Sequence, residues 1–370
     1  MASPILISNP PPGFSLLAIL RGFQLAILGA YRTLQNPSLL TQKYYRQSLI
    51  AIQASLVIQG LIWSPIILLR VLVKVAALAT KSKGLDHVVA SLKSFQFNVL
   101  NISVFLISGS RYFNKQLDDL FLQSLQFVDQ VRKAKHPETE RVYHENLVAL
   151  STDERITDNR PTFDSIKKKW ATSQEFSTFM RRHINRTLMS VGAYFVSKIP
   201  FFGSVILGLI SFSNLDGKIG TVNAAVIFGL LQLIPKRWAV LFLTTYWGSR
   251  SMLHDLLAPY FSRVRFTKSE KDQWIRSREG LLFGFGLCHY LLIRRAPWIG
   301  LLLYGFAESS VAYLVTKITD PPPKQVSQLI KWNSSQLVWN REKELDLLSG
   351  SFADSDEGFQ PVPGSYIFHH

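Results

Sequence analysis

Glu308 is the residue best placed to do chemistry in this chain. It is the only charged residue from Pro297 to Thr316, a run of twenty, and it stands twelfth. As helix, that puts it about 17 Å along the run, near the midplane of a bilayer whose hydrocarbon is roughly 30 Å thick. A carboxylate at that depth faces a pore or a cationic partner, because lipid alone would not hold its charge. The cations within reach by sequence are Lys198, Arg294 and Arg295. Arg294-Arg295 stands just before the run and marks an interface nearby. That favours a short, tilted or re-entrant helix that leaves Glu308 at the membrane surface.

Other chemistry is scarce. The chain has no Walker A loop, no His-Glu-x-x-His and no Gly-x-Ser-x-Gly elbow. Gly284-Phe285-Gly286 lacks the third glycine of a dinucleotide fingerprint, His289 standing in its place. His136, His144 and the terminal His369-His370 lack metal-ligand spacing. The single cysteine, Cys288, sits in an apolar run and cannot make an internal disulfide. Asn185-Arg186-Thr187 and Asn333-Ser334-Ser335 match the glycosylation acceptor, a pattern common by chance, and both fall in segments expected to be cytosolic. We therefore expect no catalytic residues, no metal, no cofactor and no enzyme.

The elements that would position Glu308 are apolar blocks. Ile199 to Leu215 and Ile219 to Pro235 are uncharged runs of 17 residues around the turn Asp216-Gly217-Lys218. Each would be about 25 Å long as helix, a hairpin at the edge of spanning length. Pro200 opens it and Pro235 closes it. Lys198 and Lys236-Arg237 put both feet on one face. Ser48 to Leu69, 22 uncharged residues between Arg46 and Arg70, is the best spanning candidate, paired with Ser94 to Ser110. Pro200-Phe201-Phe202-Gly203 and Pro297-Trp298-Ile299-Gly300 share a Pro-aromatic-x-Gly start, and proline suits a first helical turn.

Around these blocks, residues 1–47 read as an extended segment and an interfacial helix. Arg21 in that helix would reach back to the headgroups. Residues 48–110 hold the transmembrane pair. Residues 111–186 are a soluble, basic part with an amphipathic helix at Leu117 to Val131, a polar loop from Lys133 to Pro161, and a basic helix from Phe163. Residues 187–317 are the membrane block with hairpins, and 318–370 a disordered tail. The net charge is +16, yet residues 1–110 carry nine Lys/Arg and one acid while the tail carries four and seven. Cations beside apolar blocks fit cytosolic loops facing anionic lipid headgroups. No recognition element for nucleic acid accompanies them. Without a basic region ahead of an apolar one no cleavable signal is expected, and internal helices would direct membrane insertion.

The segment Arg250 to Gly300 carries a resemblance. Pro259-Tyr260-Phe261-Ser262-Arg263, Lys268-Ser269-Glu270, Trp274, Arg278, Leu282-Phe283-Gly284-Phe285-Gly286-Leu287 and Pro297 resemble the etoposide-induced membrane protein family. That family includes bacterial sulfate permeases of the CysZ type. The stretch Ala18 to Leu25, with Gly29-Ala30-Tyr31-Arg32 and Leu34-Gln35-Asn36-Pro37, is similar to fungal transmembrane proteins of the UsgS-like family, and that likeness runs over most of the chain. The broader resemblance implies an all-helical fold of spanning helices and half-penetrating hairpins, with sulfate uptake in bacterial members and the endoplasmic reticulum in animal ones. It brings no sulfate-coordinating set to this sequence.

The expectation is an all-α, polytopic membrane protein with two or more spanning helices and short or re-entrant hairpins, in an endomembrane such as the endoplasmic reticulum. Its expected partners are lipids and a small anion or solute, with an oligomer allowed. A transporter or channel is the first functional reading. The alternative is a membrane-shaping or tethering protein of the endoplasmic reticulum or lipid droplets. The hairpin residues Pro200, Gly203, Asp216, Gly217, Pro235, Gly284, Gly286, Pro297 and Gly300 would be structural, with Glu308, Arg294, Arg295 and Lys198 functional.

Overall fold

Ser15 starts the first helix, its Oγ accepting from the backbone N–H of Ala18 at 3.1 Å. That helix, α1 (Leu16–Gln35), belongs to a computed structural model that describes residues 13–37, 49–60, 102–109, 116–135, 141–157, 164–197, 221–233 and 235–337, with short pieces between them. Among the described residues all regular structure is helical. In chain order the rest are α2 (Leu49–Gly60), α3 (Ile102–Gly109), α4 (Gln116–Lys135), α5 (His144–Thr157), α6 (Asp164–Ser197), α7 (Thr221–Leu233), α8 (Lys236–Leu256), α9 (Ala258–Val264), α10 (Lys268–Ser277), α11 (Glu279–Arg295), α12 (Gly300–Ile318) and α13 (Leu329–Gln336).

α11 and α12 form the centre. They are joined by a 3₁₀ turn at Pro297–Ile299, so Pro297 opens the α12 segment as its position predicts. α1 packs on both, α4 lies along α12, α8 along α11, and α6 against α8. The contact of α1 with α11 is backbone to backbone. A β-carbon on Gly22 would sit 2.0 Å from the Leu281 carbonyl oxygen, and one on Gly284 would sit 2.0 Å from that of Ile19. Gly286 faces the other way, toward Ser249 and Leu253 of α8. The glycine pair 284/286 thus seats α11 between two helices. Gly300 meets Ile107 and Ile293, while Pro235 is exposed at the start of α8.

Three expectations are corrected. Arg21 does not reach outward: it is fully buried, with its Nη1 donating to Gln24 Oε1 at 2.7 Å. The outward stripe of α1 is Leu16, Leu20, Phe23, Ile27, Tyr31 and Leu34, and Arg21 lies opposite it. The loop expected from Lys133 to Pro161 contains α5, because Asp129 Oδ2 on α4 accepts from Tyr143 N at 2.9 Å and His144 N at 2.7 Å. The tail expected to be disordered from residue 318 is described through residue 337 and holds α13, residues 338–370 lying outside the described residues. Arg278 holds it, donating to Ile318 O at 3.2 Å and Gln336 O at 3.0 Å with its guanidinium 4.6 Å from the Trp274 ring. Burial lowers Arg278 to about 9, so it stays charged at neutral pH.

Burial also raises the Asp129 carboxyl, the capping hydrogen bonds working against it. Asp129→Asn should therefore lose less than Asp129→Ala, since it keeps an acceptor oxygen without the buried charge. We expect about 1–2 kcal/mol of destabilisation for the alanine variant, read by thermal unfolding in detergent. Equal losses from the two would show that the charge itself matters.

One helix among the described residues is long and apolar enough to cross a membrane, Pro297–Ile318. The most apolar window of that helix is 72% buried inside the bundle, so by itself it would suit a soluble core as well. Of the spanning candidate Ser48 to Leu69 the described part is the shorter apolar helix α2 and pieces after it, and of Ser94 to Ser110 only α3 is described, residues 94–101 and 110 lying outside the described residues.

The exposed apolar residues are unevenly placed. α1, α2, α6, α7, α8 and α11 all present large ones, among them Val57, Leu188, Phe195, Trp238 and Leu292. Among the described residues of α4, α5, α9, α10 and α13 the one such residue is Ile330. The described helices therefore divide into a set that presents apolar faces and a set that presents almost none.

Candidate functional site

On α6 the usual pattern is inverted. Its buried face reads Phe179, His183, Arg186, Ser190 and Ala193, at helical spacing, while Ile184, Leu188, Met189 and Phe195 point outward. Three polar side chains are turned into the protein and four apolar ones away from it. The outward face is thus mainly apolar, with Arg181 and Asn185 exposed beside it.

The inward residues meet α8 and α11. Arg182 Nη1 donates to Asp255 Oδ1 at 2.7 Å, and Asp255 is 1% exposed. His183 Nδ1 lies 3.2 Å from the Phe179 carbonyl oxygen. A carbonyl only accepts, so Nδ1 carries the proton and, in the neutral ring, Nε2 is a bare acceptor. Nε2 is 3.7 Å from Asp255 Oδ2, too far for a direct hydrogen bond. Arg186, one turn on, is 7% exposed, and its Nη1 is buried with no hydrogen-bond partner. Its charge is felt by Asp255 and by Tyr290 of α11. The Tyr290 ring fits because α8 has Gly248 there, where a β-carbon would lie 2.4 Å from the ring. The Tyr290 hydroxyl bonds to Arg294, which donates to Thr245 Oγ1 of α8 at 3.1 Å. Phe105 of α3 closes one side, with ring centroids 5.7 Å from Phe179 and 5.2 Å from His183.

The result is a polar seam between α6, α8 and α11. Among the described residues it holds the guanidinium groups of Arg182, Arg186 and Arg294 against the carboxylate of Asp255. Arg182 already engages that carboxylate. Arg186 is then a buried donor fork with capacity left for an acceptor. Its geometry suits the flat oxygens of a small anion. A second ion pair, Arg250 with Glu279, joins α8 to the start of α11 and is balanced in charge.

The residues anticipated as functional distribute unevenly over this site. Arg294 belongs to it, turned to α8. Arg295 is exposed, and Lys198 lies outside the described residues. Glu308 is fully buried on α12. The reason is that α1 and α4 pack on both flanks of α12, enclosing the middle of the helix. Pro200, Gly203, Asp216 and Gly217 lie outside the described residues. His183, Arg186, Asp255 and Tyr290 were not anticipated. The signal for the first two was the spacing 179, 183, 186, 190, 193, which a reading of net charge along residues 163–186 passes over.

The chain matches no family model, no curated protein and no solved structure.

Proposed function

We propose that this chain is a polytopic helical membrane protein that carries a small anion along the seam between α6, α8 and α11. The observation that carries the reading is Arg186, a buried guanidinium with a free donor on a helix whose outer face is mainly apolar. A cation held inside an apolar-faced bundle lowers the energy of an anion there, where lipid would exclude it. The resemblance to sulfate-handling membrane proteins points the same way, toward oxyanions.

The test is flux. Purified protein reconstituted into liposomes should admit chloride, sulfate or phosphate faster than empty vesicles, and sodium no faster. Folded, correctly inserted protein that passes none of the three anions would end the transport reading.

One observation favours the alternative of a membrane-shaping protein. Val222, Val226, Leu230 and Leu233 make a continuous exposed stripe on α7, with Val222 at 77% and Leu233 at 84%. A helix laid shallowly in one leaflet would use such a face. Protease protection at the Asp216 turn separates the two. Cleavage from the cytosolic side goes with a shallow hairpin and shaping, and protection goes with crossing.

A further inference from the structure

Where α1 ends, an open cleft runs between it, α4 and α12. Its lining is Arg32, Phe127, Val128, Val131, Arg132 and Tyr313, and it holds about 280 Å³ counting the solvent at its mouth. Only about 10 Å³ of it is enclosed, the space of a single water, so a ligand would sit at the open mouth and not inside.

Its chemistry is specific. The floor is apolar, with Val128 and Tyr313 buried. Two guanidinium groups from different helices stand at it. Arg132 is fixed by the Tyr143 ring, 5.6 Å from its guanidinium carbon, and its Nη1 is buried with no hydrogen-bond partner. Arg32 is half-buried and donates to Gln35 one turn away at 3.0 Å. The nearest acid on α4 is Asp129, whose Oδ2 is occupied in capping α5. Asp129 also faces Arg132 electrostatically and its Oδ1 has no hydrogen-bond partner, so the two guanidiniums leave the cleft cationic by about one charge, with the Arg132 Nη1 donor unpaired.

Its position names the ligand. The outward stripe of α1 ends beside it, with Ile27, Tyr31 and Leu34 each more than half exposed. Those residues lie within two turns of Arg32, where acyl chains would run alongside a bound headgroup. Tyrosine and arginine at the end of an apolar stripe mark the level of the headgroups. Resting on the membrane reading above, we infer that this cleft binds the phosphodiester of an anionic phospholipid, with Arg32 and Arg132 as its clamp and the α1 stripe beneath its acyl chains.

The experiment uses the full chain. Carbonate extraction comes first, and release of the protein would remove the membrane reading itself. Protein that stays with the membrane is then taken from micelles of phosphatidylglycerol mixed with phosphatidylcholine of the same chains, and retained lipid is counted by native mass spectrometry. The wild type should keep phosphatidylglycerol in preference, and Arg32→Gln with Arg132→Gln should lower that preference at least about tenfold. The double lysine variant, Arg32→Lys with Arg132→Lys, should keep part of it, since charge remains and the planar fork is lost. Wild type that holds both lipids equally would overturn the assignment whether or not the glutamine variant folds. So would release of the bound lipid by millimolar inorganic phosphate, which would make the cleft a site for the free anion.

Discussion

Gly284→Ala will loosen the bundle by about 1–3 kcal/mol, and Gly284→Leu by more. The β-carbon of the alanine would meet the Ile19 carbonyl oxygen at 2.0 Å. No rotamer relieves that overlap, because both partners are backbone. α1 must move off α11, and the opposing Gly22, held 2.0 Å from the Leu281 oxygen by the same measure, moves with it. The loss then extends to the inward face of α1, where Arg21 and Gln24 sit. Thermal unfolding in detergent reads the effect. Gly229→Ala on α7 is the control, since nothing lies within 4 Å of its new β-carbon, and it should stay within about 0.5 kcal/mol. Equal melting of the two alanine variants would mean that the helices do not approach so closely.

Arg186→Met should separate stability from transport. A buried charge replaced by an apolar side chain of similar length often leaves stability unchanged or raised. That holds here only if the acid nearby stays compensated, and Asp255 keeps Arg182 at 2.7 Å. We therefore expect a melting temperature at or above that of the wild type. Anion flux should fall about 10- to 150-fold, the equivalent of one charge-assisted hydrogen bond to the anion. Arg186→Lys should fall between, keeping the charge and losing the fork. Retained flux in the methionine variant would take the seam out of the transport path. Loss of folding would make Arg186 a structural cation.

The all-helical character was legible from the apolar blocks, and the amphipathic helix from Leu117, Leu120, Phe121, Leu125 and Val128 reappears as the inner face of α4. Pro297 announced its own turn. The seam was not legible, because its members come from separate segments: Arg186 from a stretch that reads as basic and soluble, Asp255 from a cationic one, Tyr290 from an apolar one. Only packing brings them together. Arg21 misled because hydropathy along a chain says how apolar a segment is and not which way one side chain points. The direction was nonetheless present in the spacing of Leu16, Leu20, Phe23, Ile27, Tyr31 and Leu34.

The close seat of Gly22 on α11 also sets a clock. α1 is made before α11, and its partner near Leu281 follows about 260 residues later. At roughly 5–20 residues per second that is a wait of about 13–50 s. Through that interval Arg21 has neither α11 nor α12 to cover it. α1 is thus completed by a helix made long after it, and assembly cannot proceed strictly in the order of translation.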